Sequence, residues 1–168
     1  MSTLIAPRRV LEPAALEQFA ARLARSAACR DALPASSAGT RSYRLVWTDS
    51  YVNAWIIRWS DDADTGFHDH DGSSAGIVVL EGAVVEERLA LAAPPIARRF
   101  TAGESFNMEA TAIHRIRHAG ERAALTVHAY SPALVVQGVY RERSDGALER
   151  QAVPYTEELR GDLLAATA

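Results

Sequence analysis

The chain changes hydrophobic period near residue 40. Before it, Leu16, Phe19, Ala20, Leu23 and Ala27 recur at three- and four-residue spacing, with Glu17, Arg22 and Arg25 between them. That stripe predicts an amphipathic helix over 13–28, and Pro13 suits its first turn, where a missing N–H is harmless. Residues 31–40, rich in Ala, Ser and Gly, read as a surface connection. From Ser42 onward the apolar positions fall into short runs of β-branched and aromatic residues. These predict strands over 43–47, 52–59, 75–81, 83–92, 105–108, 112–117, 123–130 and 135–141. Turn residues separate them: an acidic turn at 61–65, Gly82, Ala102-Gly103-Glu104 and Ala119-Gly120-Glu121. Pro94-Pro95 is expected to break the strand before it, and 156–166 to form a short C-terminal helix. Many short strands with regular turns predict an all-β sandwich or barrel over about 42–150, preceded by a helical part at 1–40, in one domain spanning 1–168.

Composition narrows the functions. About half of the 168 residues are apolar and about a quarter charged, as in an ordinary globular protein. The net charge is −3 and the arginines are scattered, with no basic run interleaved with aromatics. No nucleic-acid or membrane partner is therefore expected. The single cysteine, Cys29, cannot form an internal disulfide, and no leader pattern or long apolar segment stands out, so a reducing cytoplasm is the expected location.

The chemistry lies in the histidines. All five, His68, His70, His114, His118 and His128, fall in the β region. His68 and His70 sit one residue apart in Thr65-Gly66-Phe67-His68-Asp69-His70, and side chains at i and i+2 of a strand share a face. His114 lies in a second strand-like run, Ala112-Ile113-His114-Arg115-Ile116. If the two runs face one another, three neutral nitrogens converge on one ion, a set suited to iron, zinc, copper or nickel with positions left open. Taken singly, a histidine is more often structural or exposed. No carboxylate follows His70 where a fourth ligand from the same strand would be expected; Ser74 and Ala75 stand there. Three neutral ligands leave a divalent ion its full charge, which suits an anionic sulfur ligand together with dioxygen. His118 reads as a surface or supporting residue. Glu86 and Glu87 are expected on an outer strand face, and Trp47, Trp55 and Trp59 in packing.

The run Gly66-Phe67-His68-Asp69-His70, ending at Gly82, resembles a first cupin motif without its usual glutamate, and Gly103 through His114 resembles the second. The closer similarity is to the cysteine dioxygenase family of thiol dioxygenases. The chain matches it at His68-Asp69-His70, at His114-Arg115, and at Thr126-Val127-His128-Ala129-Tyr130-Ser131-Pro132, with Trp59 nine residues before His68. The similarity covers roughly 43–132.

The resemblance implies a cupin-type jelly roll and a mononuclear non-haem Fe(2+) held by His68, His70 and His114. It implies that Tyr130 points at substrate and oxygen, that His128 hydrogen-bonds Tyr130, and that Thr126 continues the chain in place of a serine. It makes Arg44 the group that binds the substrate carboxylate through its planar fork, with Arg41 and Arg58 as the alternatives. The implied reaction oxidises L-cysteine with O2 to cysteine sulfinic acid. The rival readings are 3-mercaptopropionate or another small thiol as substrate, and a non-catalytic metal-binding cupin. The chain is expected to act as a monomer or weak dimer. Two departures stand out. Ala75 occupies the place of the cysteine that animal members cross-link to the tyrosine, and Ala133 follows Pro132 where the family often repeats proline.

Overall fold

Among the described residues of the computed structural model, strand pairing runs from Arg41 to Pro154, through eleven strands in two antiparallel sheets. The structure describes residues 5–29, 31, 33–35, 37–90 and 93–155. The helix expected at 156–166 lies outside them. In chain order the elements are α1 (Pro13–Ala24), β1 (Arg41–Thr48), β2 (Asn53–Trp59), β3 (His68–Asp69), β4 (Ser74–Glu81), β5 (Ala83–Ala90), β6 (Ala93–Thr101), β7 (Ser105–Met108), β8 (His114–His118), β9 (Ala124–Ser131), β10 (Val136–Glu142) and β11 (Leu148–Pro154). One sheet has the order β1-β2-β9-β4-β7 and the other β11-β10-β3-β8-β5-β6.

Two apolar layers follow from this arrangement. Between the sheets lie Ile57, Trp59, Ala75, Ile77, Val79, Val84, Phe106, Met108, Ile116 and Tyr130. Behind the five-stranded sheet, α1 presents Leu16, Phe19, Ala20 and Leu23 to Ala54, Ile56, Val78, Val127 and Ala129. Alternation along β2 and β9 sends successive side chains to one layer and then the other. Gly76 is what lets the helix approach: a Cβ there would stand 2.5 Å from the Glu17 backbone nitrogen. Glu17 then accepts hydrogen bonds from Ser105 Oγ and Asn107 Nδ2, both at 2.5 Å, and ties α1 to β7.

The elements differ from the expected ones in four places. The helix ends at Ala24, and Ala27–Cys29 forms a separate 3-10 turn. Pro94 and Pro95 lie inside β6 rather than ending a strand; β6 is an edge strand whose ladder to β5 shifts register between Arg88 and Ala90, so neither proline stands in the paired register. The expected run at 83–92 is β5 alone. Strand β11 had no counterpart in the reading, because its apolar and polar residues do not alternate and all but Val153 are exposed. Among the described residues no helix is long and apolar enough to cross a membrane.

Candidate metal centre

The three histidines come together because of one cross-strand pair. His68 on β3 stands directly opposite His114 on β8, which places their ring centroids 4.4 Å apart. His70, two residues on, points to the same face, 5.1 Å from each of the other rings. One ligand nitrogen from each of the three lies within 4.8 Å of the others, and all three residues are buried. His70 Nε2 and His114 Nε2 approach to 3.4 Å. Nitrogens this close together can share one cation.

Local contacts set which nitrogen each ring offers. The His68 Nδ1–H donates to the Gly66 carbonyl at 3.1 Å, which leaves Nε2 as its basic nitrogen. His114 turns Nε2 toward His70 and Nδ1 toward the carboxylate of Glu86, 3.7 Å away. Burial, and then the neighbouring His68, hold His70 and His114 far below the ordinary histidine range, so both rings are neutral and able to donate a lone pair. This donor set fits a divalent transition metal: three buried imidazoles and, among the described residues, no carboxylate in the group.

Between His68 and His70, Asp69 points the other way and is clamped. It accepts hydrogen bonds from Arg150 Nε at 2.6 Å, Arg150 NH2 at 2.8 Å and Tyr140 Oη at 2.7 Å. The Asp71 backbone N–H adds a bond at 2.9 Å. Burial alone would raise the Asp69 pKa; the bonds from Arg150 and Tyr140 outweigh it and hold the carboxyl far below the usual range. A Cβ at Gly138 would meet Asp69 Oδ2 at 2.5 Å, so glycine clears the path of this ion pair.

The facing strand β9 carries the second set. Thr126, His128 and Tyr130 alternate inward and are all buried. Trp59 Nε1–H donates to Thr126 Oγ1 at 2.8 Å, and His128 Nε2 lies 2.9 Å from that same oxygen. His128 Nδ1 lies 3.2 Å from Tyr130 Oη, and Tyr155 Oη donates to Tyr130 at 3.3 Å. With the indole donating to Thr126, the hydroxyl satisfies itself by donating to His128 Nε2, and the remaining ring proton goes to Tyr130. Burial, then His68 and Arg41, push His128 down to about 3, so the ring stays neutral within this chain. The Tyr130 ring packs 4.8 Å from that of His70, which sets the relay against the metal ligands. Ala75 is buried and is the cross-strand partner of Tyr130, so position 75 does face the phenol, with only a methyl group.

Two openings reach this region. A narrow cavity is lined by Arg41, Ile57, Trp59, Thr65, His68, Ile116, His128, Tyr130, Gln137 and Tyr155. A wider cleft of about 240 Å³ borders His70, Ser73, Pro132 and Val136.

Arg44 is not brought to the cavity. It pairs across strands with Ile56, which faces α1, and its guanidinium donates to the Asp31 carbonyl at 3.2 Å. Arg41 pairs with Trp59, faces the cavity and is buried. An odd offset of three residues separates the two arginines, and in a strand an odd offset reverses the face. Arg58 pairs with Leu125, which packs toward α1, away from the cavity. Glu86 also departs from expectation. It pairs with Ile116 and points inward, 1% exposed, while Glu87 pairs with Arg115 on the outer face and takes hydrogen bonds from Arg115 and Arg117. Val84 and Val85 are both apolar, so the alternation of β5 gave no phase. Gln137 joined the site without being singled out, and Trp59, noted for its place before His68 but expected in packing, joined it too; the inward period of β2 and β10 is the signal that could have placed them. His118 bonds the Arg122 carbonyl at the surface, as expected.

A family model described as cysteine dioxygenase type I matches residues 38–143. No curated protein matches the chain. Among solved structures, KdgF from Halomonas sp. shares 19% identity over 61% of this chain and 88% of its own, with a TM-score of 0.51. The cupin domain of Schizosaccharomyces pombe Cnp3 shares 11% identity over 55% of this chain and 64% of its own, at a TM-score of 0.50. Oxalate oxidase in complex with glycolate shares 16% identity over 66% of this chain and 60% of its own, at 0.55. At these identities the likeness bears on the fold alone, which is that of a cupin.

Proposed function

The chain belongs to the cysteine dioxygenase type I family, and from that premise we propose that it is an iron-dependent thiol dioxygenase acting on L-cysteine. The overall step is RS⁻ + O2 → RSO2⁻: the sulfur is oxidised, both oxygen atoms become bonded to it, and no further reductant is consumed. His68, His70 and His114 would hold the Fe(2+), which supplies the chemistry of dioxygen activation and a seat for the thiolate. The chain's own residues do the rest. Trp59, Thr126 and His128 fix the Tyr130 phenol against the ligand face. Arg41 offers the cavity's cationic fork to a carboxylate, the role the sequence reading gave to Arg44. The buried apolar walls, Ile57, Ile116 and Trp59, exclude bulk water. A cytoplasmic setting suits a buried lone thiol at Cys29.

The observation that carries this reading is the juxtaposition of three converging imidazoles with the Thr126–His128–Tyr130 chain in one closed interior. The test is oxygen consumption and sulfinate formation by the Fe(2+)-loaded protein over a panel of cysteine, 3-mercaptopropionate and cysteamine. Cysteine is expected to give one sulfinate per O2. Turnover of 3-mercaptopropionate alone would move the substrate assignment, and full iron loading with no oxygen uptake on any thiol would leave a non-catalytic metal-binding cupin.

A further inference from the structure

Among the described residues of the cavity wall Gln137 is the one neutral amide, and its side chain stands there without a partner. It is 1% exposed, and neither Oε1 nor Nε2 has a hydrogen-bond partner among the described residues. The position is set by register. On β10, Val139 is the cross-strand partner of His68 and Gly138 that of Asp69. Gln137 is two residues from Val139 and shares its face, so it enters the same interior as the metal ligands. Burying an amide with both ends unmet is unfavourable unless a ligand completes it.

The other wall groups say what that ligand carries. Arg41 brings a cation, Tyr130, Tyr155 and Thr65 bring hydroxyls, and among the described residues no carboxylate lines the cavity. A substrate carboxylate thus has a charged partner there, whereas a substrate amine has no anionic one. An amide meets both needs, because its carbonyl accepts from an amine and its NH2 donates to a carboxylate.

We propose that Gln137 reads the α-amino acid head of the thiol substrate, its Oε1 taking an N–H of the amine and its Nε2 donating to the carboxylate beside Arg41. This inference rests on the thiol-dioxygenase reading for its substrate class. It makes Gln137 the residue that separates cysteine from thiols with only one of the two head groups. A site built around paired polar atoms rejects an analogue that leaves one unmet.

The test measures binding apart from turnover. Fe(2+)-loaded parent, Gln137→Leu and Gln137→Glu are titrated anaerobically with cysteine, 3-mercaptopropionate and cysteamine by calorimetry, and kcat/KM is measured in air for the same set. Cysteine loses two hydrogen bonds in Gln137→Leu and each analogue loses one. The preference for cysteine over both analogues is therefore expected to shrink by about tenfold. Gln137→Glu keeps the shape and an acceptor but brings a negative charge. It is expected to weaken cysteine and 3-mercaptopropionate and to strengthen cysteamine, reversing the order of the two analogues, a readout that a merely damaged fold would not give. Preferences that stay within twofold of the parent in both variants overturn the role of Gln137 and leave the enzyme reading intact. If the parent binds the thiols selectively yet oxidises none, the enzyme reading fails while the anaerobic affinities still decide Gln137. If the parent binds none of them, both fall.

Discussion

A single residue's orientation decides much of this site, and the arginines show it most directly. Arg41 and Arg44 lie on one strand, yet only Arg41 reaches the cavity. Arg41→Leu is expected to raise the KM for cysteine by about 10- to 100-fold, the worth of a charge-assisted bond, with little change in the affinity for cysteamine. Arg44→Leu should leave both within twofold. Steady-state kinetics on the two variants check this, and equal effects would remove the assignment to Arg41. Glu86 works from behind the metal ligands. Its Oε2 and His114 Nδ1 are both buried without a hydrogen-bond partner among the described residues, and the carboxylate stands 3.7 Å from that ring nitrogen. Arg88 holds it in place through Nε at 2.5 Å. A carboxylate this close to the outer nitrogen favours the tautomer that keeps the proton there and the inner lone pair free for a metal. Glu86→Ala is therefore expected to weaken Fe(2+) binding by about 10- to 100-fold, measured by competition with a chromogenic chelator. An unchanged affinity would make Glu86 a packing residue only.

At the scale of elements, β3 presents a problem of support. It has two residues, supplies His68 and immediately precedes His70, and pairs with its neighbours over very few positions. Its anchor is Asp69, held from β10 by Tyr140 and from β11 by Arg150. An edge strand exposed at all but one of its residues thus braces the metal ligands. Arg150→Leu is expected to cost about 1–3 kcal/mol in urea unfolding of the metal-free protein, toward the lower end because Arg150 is about a third exposed. It should also speed loss of Fe(2+) to a chelator. Arg150→Lys keeps the charge but not the fork, and should recover only part of either loss. If Arg150→Leu matches the parent in both measurements, β3 is held by its ladder alone.

For the whole molecule, the closure of two sheets over one interior makes the site, and this explains what the chain disclosed in advance. Helix α1, most strands, the His68/His70 pair and the Thr126–His128–Tyr130 alternation were readable because each rests on spacing within one segment; His114 joined them through the pairing of two strands. Strand β11 was hidden because an exposed edge strand needs no apolar face. Arg44 and Glu86 were misplaced because phase, not composition, decides which face a strand residue takes. Gln137 gained its meaning only when β10 was laid beside β3.

Closure also gives the interior a pH signature. Burial keeps His128 neutral, with its pKa pushed down to about 3, while in the unfolded chain a histidine titrates near 6.5. The unfolded state therefore binds more protons between these values, so stability rises with pH across that window. The contribution is fully present above about pH 6.5 and is lost as pH falls toward 3, with a slope of up to about 1.4 kcal/mol per pH unit for one proton. His128→Gln deletes that proton while keeping groups that can bond Thr126 and Tyr130. In the metal-free protein at pH 7, 6 and 5, the variant is expected to start less stable than the parent and to lose stability less steeply. The slope difference approaches one proton as pH drops below 6. Urea unfolding at each pH supplies the numbers, and parallel parent and variant curves would mean that His128 takes up its proton without leaving the folded interior, contrary to the closed relay described above.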